Sequence, residues 1–173
     1  MKKHIAMAAV VCAGLLACNT AYAANASHRL GIGANYWKTL KDLDLSEFDN
    51  HGISWLATYQ YSPGTLLSLE ADAEIFRKGY VGAAENIYAP QAYVLIGSSL
   101  YAGLGIGIYY LDGEFADSPF YALRAGVNLE LIPSLYLDIN ANYRFEQWKN
   151  ISAMADEEGT DTITLGAALR FAF

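Results

Sequence analysis

Few side chains in this sequence are placed for catalysis. Beyond residue 23 the histidines are His28 and His51, and no recognised nucleophile motif accompanies either of them. His51 is close in sequence to Ser46, Asp49 and Ser54, which supply the hydroxyl and carboxylate types of a catalytic triad. Polar residues of this kind are ordinary in loops, so we expect no catalytic residues and no enzyme. A lipid-modifying enzyme is a less favoured alternative.

Two acidic stretches have the oxygen donors that a divalent cation would need. Asp42, Asp44 and Ser46 alternate, and residues 156–161 read Asp-Glu-Glu-Gly-Thr-Asp. Neither stretch has the full calcium-loop spacing with its glycine and final glutamate. We therefore interpret both as solvated loops and expect no metal site and no cofactor.

The remaining charged residues follow a regular pattern. Nine of them occupy alternate positions in segments whose other positions are apolar: Glu70, Asp72, Glu74, Arg124, Glu130, Asp138, Arg144, Glu146 and Arg170. Period-two spacing places them on one face of each strand. If these faces enclose a narrow interior, the arginines must pair with the carboxylates, because an unpaired buried charge is very unfavourable. The pattern predicts a structural charged network.

The elements that position these residues are eight alternating segments. They cover residues 30–37, 53–61, 67–76, 88–96, 101–110, 121–131, 135–146 and 162–173. Alternation over such lengths is typical of half-buried strands. In the fourth segment Pro90 cannot donate a ladder hydrogen bond, which predicts a late start or a bulge.

The connections between the segments also alternate. Tight turns at 62–64, 97–99 and 132–134 are separated by long polar connections at 38–51, 77–86, 112–118 and 148–160. All the long connections therefore fall at one end of the predicted sheet. Outer-membrane barrels have short turns at the periplasmic rim and long loops outside.

The N-terminus predicts export. Lys2 and Lys3 precede an apolar stretch at 5–17 and a small-residue cleavage site at 21–23. We expect residues 1–23 to be a cleaved signal peptide and residues 24–173 to form one domain. Leu-Leu-Ala before Cys18 leaves open the alternative of lipidation at that cysteine.

Composition narrows the partners. Without Lys2 and Lys3 the chain has nine basic against 18 acidic residues, and that balance argues against a nucleic-acid partner. Hydrophobic residues make up 54%, yet after residue 30 no apolar run is long enough for a membrane helix. Such a chain must bury its apolar face inside, as a soluble lipocalin-like barrel does, or turn it toward lipid from a closed sheet.

Three observations favour the membrane form. The predicted strand lengths match those that cross hydrocarbon at a tilt, and the apolar faces end in aromatic residues. Gly103, Gly105 and Gly107 suit a crowded interior better than a solvent face. Trp37, Trp55 and Trp148 lie near the long-loop end, where we expect them to anchor the chain at the membrane interface.

The last segment, 163–173, resembles the closing strand of bacterial outer-membrane proteins, with apolar residues at alternate positions and a final aromatic. With the signal peptide and the alternating loops, the whole mature chain resembles the small eight-stranded barrel domains of the OmpA/OmpX type. This resemblance implies an all-β, eight-stranded antiparallel up-and-down transmembrane β-barrel in the outer membrane. It also implies an assembly signal, read by the barrel-assembly machinery, formed by Leu165, Leu169, Phe171 and Phe173.

The expected role is structural or surface-interacting. The interior would be filled by the charged network, and the loops would contact lipopolysaccharide or external ligands. We expect a monomer. A small pore or transport barrel is the alternative.

Deleting Phe173 is expected to impair membrane insertion more than deleting one residue from a long loop, because it removes the end of the assembly signal. Insertion can be scored by membrane fractionation and by resistance of the folded band to SDS before boiling. Equal insertion of the two deletions would refute the prediction.

Overall fold

The computed structural model describes residues 27–39, 51–80, 83, 85–146 and 161–173. Ten strands lie within these residues: β1 Ser27–Thr39, β2 His51–Ser62, β3 Leu67–Phe76, β4 Ile87–Gly97, β5 Leu100–Gly107, β6 Tyr110–Leu111, β7 Glu114–Phe115, β8 Phe120–Ile132, β9 Leu135–Phe145 and β10 Thr162–Ala172. Within these ranges no helix is long and apolar enough to span a membrane.

Eight of the described strands form one closed antiparallel sheet, and β6 and β7 form a small hairpin beside it. Neighbours in sequence are neighbours in the sheet, and β1 pairs with β10 to close it. That seam runs from the pair Arg29 and Ala172 to the pair Thr39 and Thr162. The Phe173 N–H extends it by donating to the His28 carbonyl at 2.9 Å. The predicted all-β, eight-stranded up-and-down barrel is confirmed.

The two ends of the barrel differ as the sequence predicts. Short turns at 63–66, 98–99 and 133–134 lie at the end where β1 begins and β10 finishes, which we call the turn end. The connections at the other end, the loop end, span 40–50, 77–86, 108–119 and 146–161. All of the first and most of the last of these lie outside the described residues.

One strand is shorter than its alternation predicts. The fifth segment alternates as far as Tyr110, but β5 ends at Gly107. The Ile108 N–H donates to the Pro90 carbonyl at 3.2 Å, and Pro90 has no N–H with which to continue the ladder. The predicted late start or bulge of the fourth strand is wrong, because β4 begins at Ile87 and keeps its register with β3 through Pro90. The disturbance falls on the partner strand β5 instead, and the β6–β7 hairpin follows.

The apolar face of the sheet points outward. Ile32 and Leu165 are 74% and 59% exposed, whereas the inward-facing Glu74 and Arg170 are 1% and 0% exposed. Soluble proteins place their apolar residues inside and their charged residues outside. The soluble lipocalin-like alternative needs an apolar interior, and the structure has the opposite arrangement.

Glycines on the inward face make room for large side chains. A Cβ at Gly105 would lie 2.3 Å from a ring carbon of Tyr93, and one at Gly126 would lie 2.4 Å from the Tyr101 hydroxyl oxygen. Atoms cannot approach so closely. Each tyrosine ring therefore packs on backbone where any other residue would block it, and both tyrosines reach the charged groups of the interior.

Candidate functional site in the barrel interior

The interior side chains form three layers between the loop end and the turn end. At the loop end lies a buried cluster, the aromatic plug, made of Trp37, Phe76, Tyr80, Ile87, Ala89 and Phe120. The charged network lies below it, and a polar pocket lies at the turn end. Strand register sets these heights, because each inward residue sits level with its cross-strand partner.

Ring contacts hold the aromatic plug together. Tyr80 packs edge-on against Trp37 at 4.7 Å between ring centroids and lies 4.0 Å from Phe76. Its hydroxyl is 2.9 Å from the hydroxyl of Tyr109, which lies beyond the end of β5. Burial raises the pKa of Tyr109 well above its usual value, so this hydroxyl stays neutral.

The position of Trp37 corrects one prediction. Trp37 is 3% exposed and lies inside the barrel, so its expected role as an interface anchor is wrong. Trp37 is near the rim in sequence, but it lies on the inward face of β1 with Asn35 and therefore does not face the membrane. Trp55 is on the outward face and is 54% exposed, as an anchor requires, and Trp148 lies outside the described residues.

Glu74 and Arg144 form the upper part of the network. Their side chains are buried and in direct contact through Arg144 Nη2 and Glu74 Oε2. Glu74 also accepts hydrogen bonds from Asn35 Nδ2 and Gln91 Nε2, each at 2.8 Å, and from the Ser54 hydroxyl. Both carboxylate oxygens are therefore well supplied with donors, which offsets much of the cost of burying the charge.

Glu70 is the centre of the lower part. It contacts Arg124 directly, and Arg170 Nη2 lies 3.0 Å from it, so one carboxylate serves two guanidinium groups. Arg124 also lies 2.8 Å from Asp72, and Arg170 lies 3.3 Å from Asp138. The four ion pairs form a continuous chain across the barrel.

Neutral side chains complete this lower part. Gln60 donates to Glu70 at 2.9 Å, and the Tyr101 hydroxyl donates to Asp138 at 2.7 Å. The Arg124 guanidinium stacks 3.6 Å above the centre of the Tyr93 ring. A cation over an aromatic face is stabilised further when both are desolvated, as they are here.

The nine charged residues predicted to share the interior divide into two groups. Seven come together in the network: Glu70, Asp72, Glu74, Arg124, Asp138, Arg144 and Arg170. Glu130 and Glu146 are exposed and do not join it. Glu130 lies beside a bulge near the turn end of β8, and Glu146 follows the last residue of β9. Alternation alone does not reveal where a strand leaves the barrel.

The neutral partners were not among the predicted site residues. Asn35, Ser54, Gln60, Tyr93 and Tyr101 all contact a charged member of the network. The signal that places them there is the same alternation, since each occupies the inward face of its strand. Which charged group each one contacts depends on the closure of the barrel.

The described residues carry four network carboxylates against three guanidinium groups, so one carboxylate is in excess. Asp72 is the least well satisfied of the four. Neither of its side-chain oxygens accepts a hydrogen bond from any described residue, although Arg124 lies beside it. Glu70 and Asp72 thus differ sharply in how much the network depends on them.

The hypothesised catalytic group does not assemble from its described members. Ser54 is buried in the interior and donates to Glu74, whereas His51 is exposed on the outward face. The other candidates, Ser46 and Asp49, lie outside the described residues, as do Asp42, Asp44 and 156–160 of the acidic stretches. Among the described residues no group of three or more His, Cys, Asp or Glu side chains is placed to hold a metal ion.

At the turn end the interior opens into a polar pocket of about 180 Å³. Arg29 lines it, donates to Gln60 at 3.2 Å and stacks 4.0 Å from the centre of the Tyr136 ring. Tyr101 and Asn128 also line the pocket. The pocket reaches the charged network but does not pass through it.

No protein-family model and no curated protein matches the chain. Among solved structures, Neisserial surface protein A is 16% identical, with a TM-score of 0.56, and the match covers 86% of this chain and 97% of that one. The chain has the fold of a small eight-stranded outer-membrane barrel. The N-terminal barrel of OprF from Pseudomonas aeruginosa (12% identity, TM-score 0.46, 83% and 97% covered) and Ail from Yersinia pestis (14%, 0.45, 86% and 97%) also match.

Glu70→Gln is expected to destabilise this barrel more than Asp72→Asn. The first change removes the carboxylate that Arg124 and Arg170 share, so each keeps a single carboxylate partner, Asp72 or Asp138. It should lower the free energy of unfolding by about 3 kcal/mol. The second removes an excess charge while Arg124 keeps Glu70, and should cost about 1 kcal/mol or less. Urea unfolding of the refolded protein in lipid vesicles measures both. Equal losses, or a larger loss for Asp72→Asn, would contradict this assignment.

Proposed function

We propose that this chain is an integral outer-membrane protein whose filled interior is structural and whose loop end carries its interactions. The observation that carries the proposal is the inversion of the two faces, with apolar side chains outside and a paired charged network inside. A closed sheet with such an exterior is stable only where hydrocarbon covers it.

Strand length and aromatic placement support a membrane location. Seven of the eight barrel strands have 10 to 13 residues, enough to cross the hydrocarbon core at a tilt. Exposed aromatics occur toward both ends, with Tyr36 and Tyr88 toward the loop end and Phe171 and Phe173 at the turn end. Such belts mark the two interfaces of a membrane barrel. Export by the 1–23 signal peptide and insertion by the barrel-assembly machinery belong to the same proposal.

A filled interior supports a non-conducting role. Eight strands enclose a space that side chains just fill, and here the aromatic plug and the charged network occupy successive levels of it. The loops are then the part of the protein available to partners. We propose that they contact lipopolysaccharide or external ligands and that the barrel acts as a monomer.

In planar lipid bilayers the purified protein is expected to show no steady single-channel conductance, because the plug and the network block the lumen. The sample should first pass the heat-modifiability test, which separates folded from unfolded barrel. A large and stable conductance from folded protein would reject the structural role and favour a pore.

A further inference from the structure

Basic side chains gather on one sector of the loop end. Seven Lys and Arg residues are described: three lie inside the network, Arg29 lies at the turn end, and the other three are exposed at the loop end. These three are Lys38, which ends β1, and Arg77 and Lys78, which follow β3. His51 lies between them on β2, opposite Lys38. We call Lys38, His51, Arg77 and Lys78 the basic rim.

The basic rim borders a pocket at the loop end of the barrel, and the inward-facing Trp37 also lines it. The pocket has a volume of about 500 Å³, and His51, Arg77 and Lys78 line it together with Tyr36 and Trp55. None of the described carboxylates lines it. Of the described carboxylates at the loop end, Glu85 lies on the connection after β3, and those of the β6–β7 hairpin lie on the other side of β4, with which β6 pairs. Among the described residues, the pocket lining itself therefore carries only basic charge.

An apolar groove continues from this pocket toward the middle of the barrel. Its volume is about 610 Å³, and Ala34, Ala57 and Ala73 line it, so we call it the alanine groove. Trp55 lines both the groove and the pocket. On β3 the outward positions Ala73 and Ile75 lead to Arg77, which follows the strand. Alternate residues of a strand are roughly 7 Å apart, so an anion on Arg77 would start its alkyl chain directly above the groove.

A second groove provides a comparison. It has a volume of about 700 Å³ and an apolar lining that includes Ala71, Ala92 and Leu104, but no lysine, arginine or histidine lines it. Shape and apolar character are therefore shared by two sectors of the barrel. Of these two grooves, only the first adjoins cationic groups at the loop end.

We propose that the basic rim and the alanine groove together bind one molecule of lipopolysaccharide, with a lipid A phosphate on Arg77 and Lys78 and an acyl chain on Ala57 and Ala73. This inference rests on the proposed function, which places the loop end outside, in the leaflet that contains lipopolysaccharide. The positive charge of the basic rim favours a phosphorylated lipid, and the apolar groove accommodates the alkyl chain of that lipid. Tyr36 and Trp55 sit at the depth where amphipathic rings meet headgroups.

The test is a titration of refolded protein in detergent with diphosphorylated lipid A, in EDTA, with bound lipid counted by native mass spectrometry. The double variant Arg77→Gln, Lys78→Gln is expected to weaken binding by roughly tenfold or more, since each basic group near an anionic headgroup contributes appreciably. Dephosphorylated lipid A should bind the wild type with a similar loss. This second comparison keeps the test decisive even if the double variant folds poorly.

Matched controls separate the site from general effects. Ala57→Leu with Ala73→Leu fills the proposed groove and should weaken binding, whereas Ala92→Leu in the second groove should leave it unchanged. Arg29→Gln removes one positive charge at the turn end and should also bind as the wild type does.

Unchanged binding by the double variant would overturn the proposal, as would phosphatidylglycerol binding as tightly as lipid A, which would indicate a general anionic-lipid surface. Lack of effect of the two leucines would overturn the acyl-chain assignment. Failure of this site is distinguishable from failure of the proposed function. A conducting barrel that still binds lipid A would refute only the proposed function. A non-conducting barrel whose variants bind lipid A as the wild type does would refute only the lipopolysaccharide site.

Discussion

Every backbone N–H and C=O group of a strand in hydrocarbon must be paired within the sheet, and the rest of this structure depends on that constraint. The chain meets it by joining β1 to β10 over 11 residue pairs, which leaves the barrel without an open edge. Closure at eight strands also fixes the width of the interior. The inward residues therefore have sizes that fit a narrow space. Gly105 and Gly126 lie where tyrosine rings pass, and Arg124 and Arg170 lie where a side chain must reach across the interior.

The charged network ties together strands that are not neighbours. Glu70 on β3 contacts Arg124 on β8 and Arg170 on β10, which lie 54 and 100 residues away in sequence. Buried ion pairs contribute little net stability compared with apolar residues of the same volume, so stability alone does not account for them. Their geometry does have a consequence for register. A shift of β3 by one residue would turn Glu70 toward lipid and leave both arginines without it.

Alternation predicted the barrel because each strand has one apolar and one polar face, and closure preserves that difference. The alternation also predicted that Asp72 and Glu74, on the same strand as Glu70, face the interior with it. It did not predict Ser54 and Gln91 as partners of Glu74, since these contacts depend on how strands of different height meet around the barrel. Strand ends are the other limit. Glu130 continues the inward pattern of β8 but lies where the strand leaves the barrel, and the ladder of β5 stops one residue beyond Gly107, where Pro90 has no N–H to continue it.

The interior and the loop end are therefore under different physical control. Inside, each guanidinium is held by a carboxylate and the plug excludes a path from the loop end, so a substitution there acts first on stability. At the basic rim, Lys38, Arg77 and Lys78 are exposed and contribute little to packing. Because exposed charges are rarely important for stability, their concentration at the ends of β1 and β3, on either side of β2, in an acidic chain is better explained by what the surface meets than by what the fold requires.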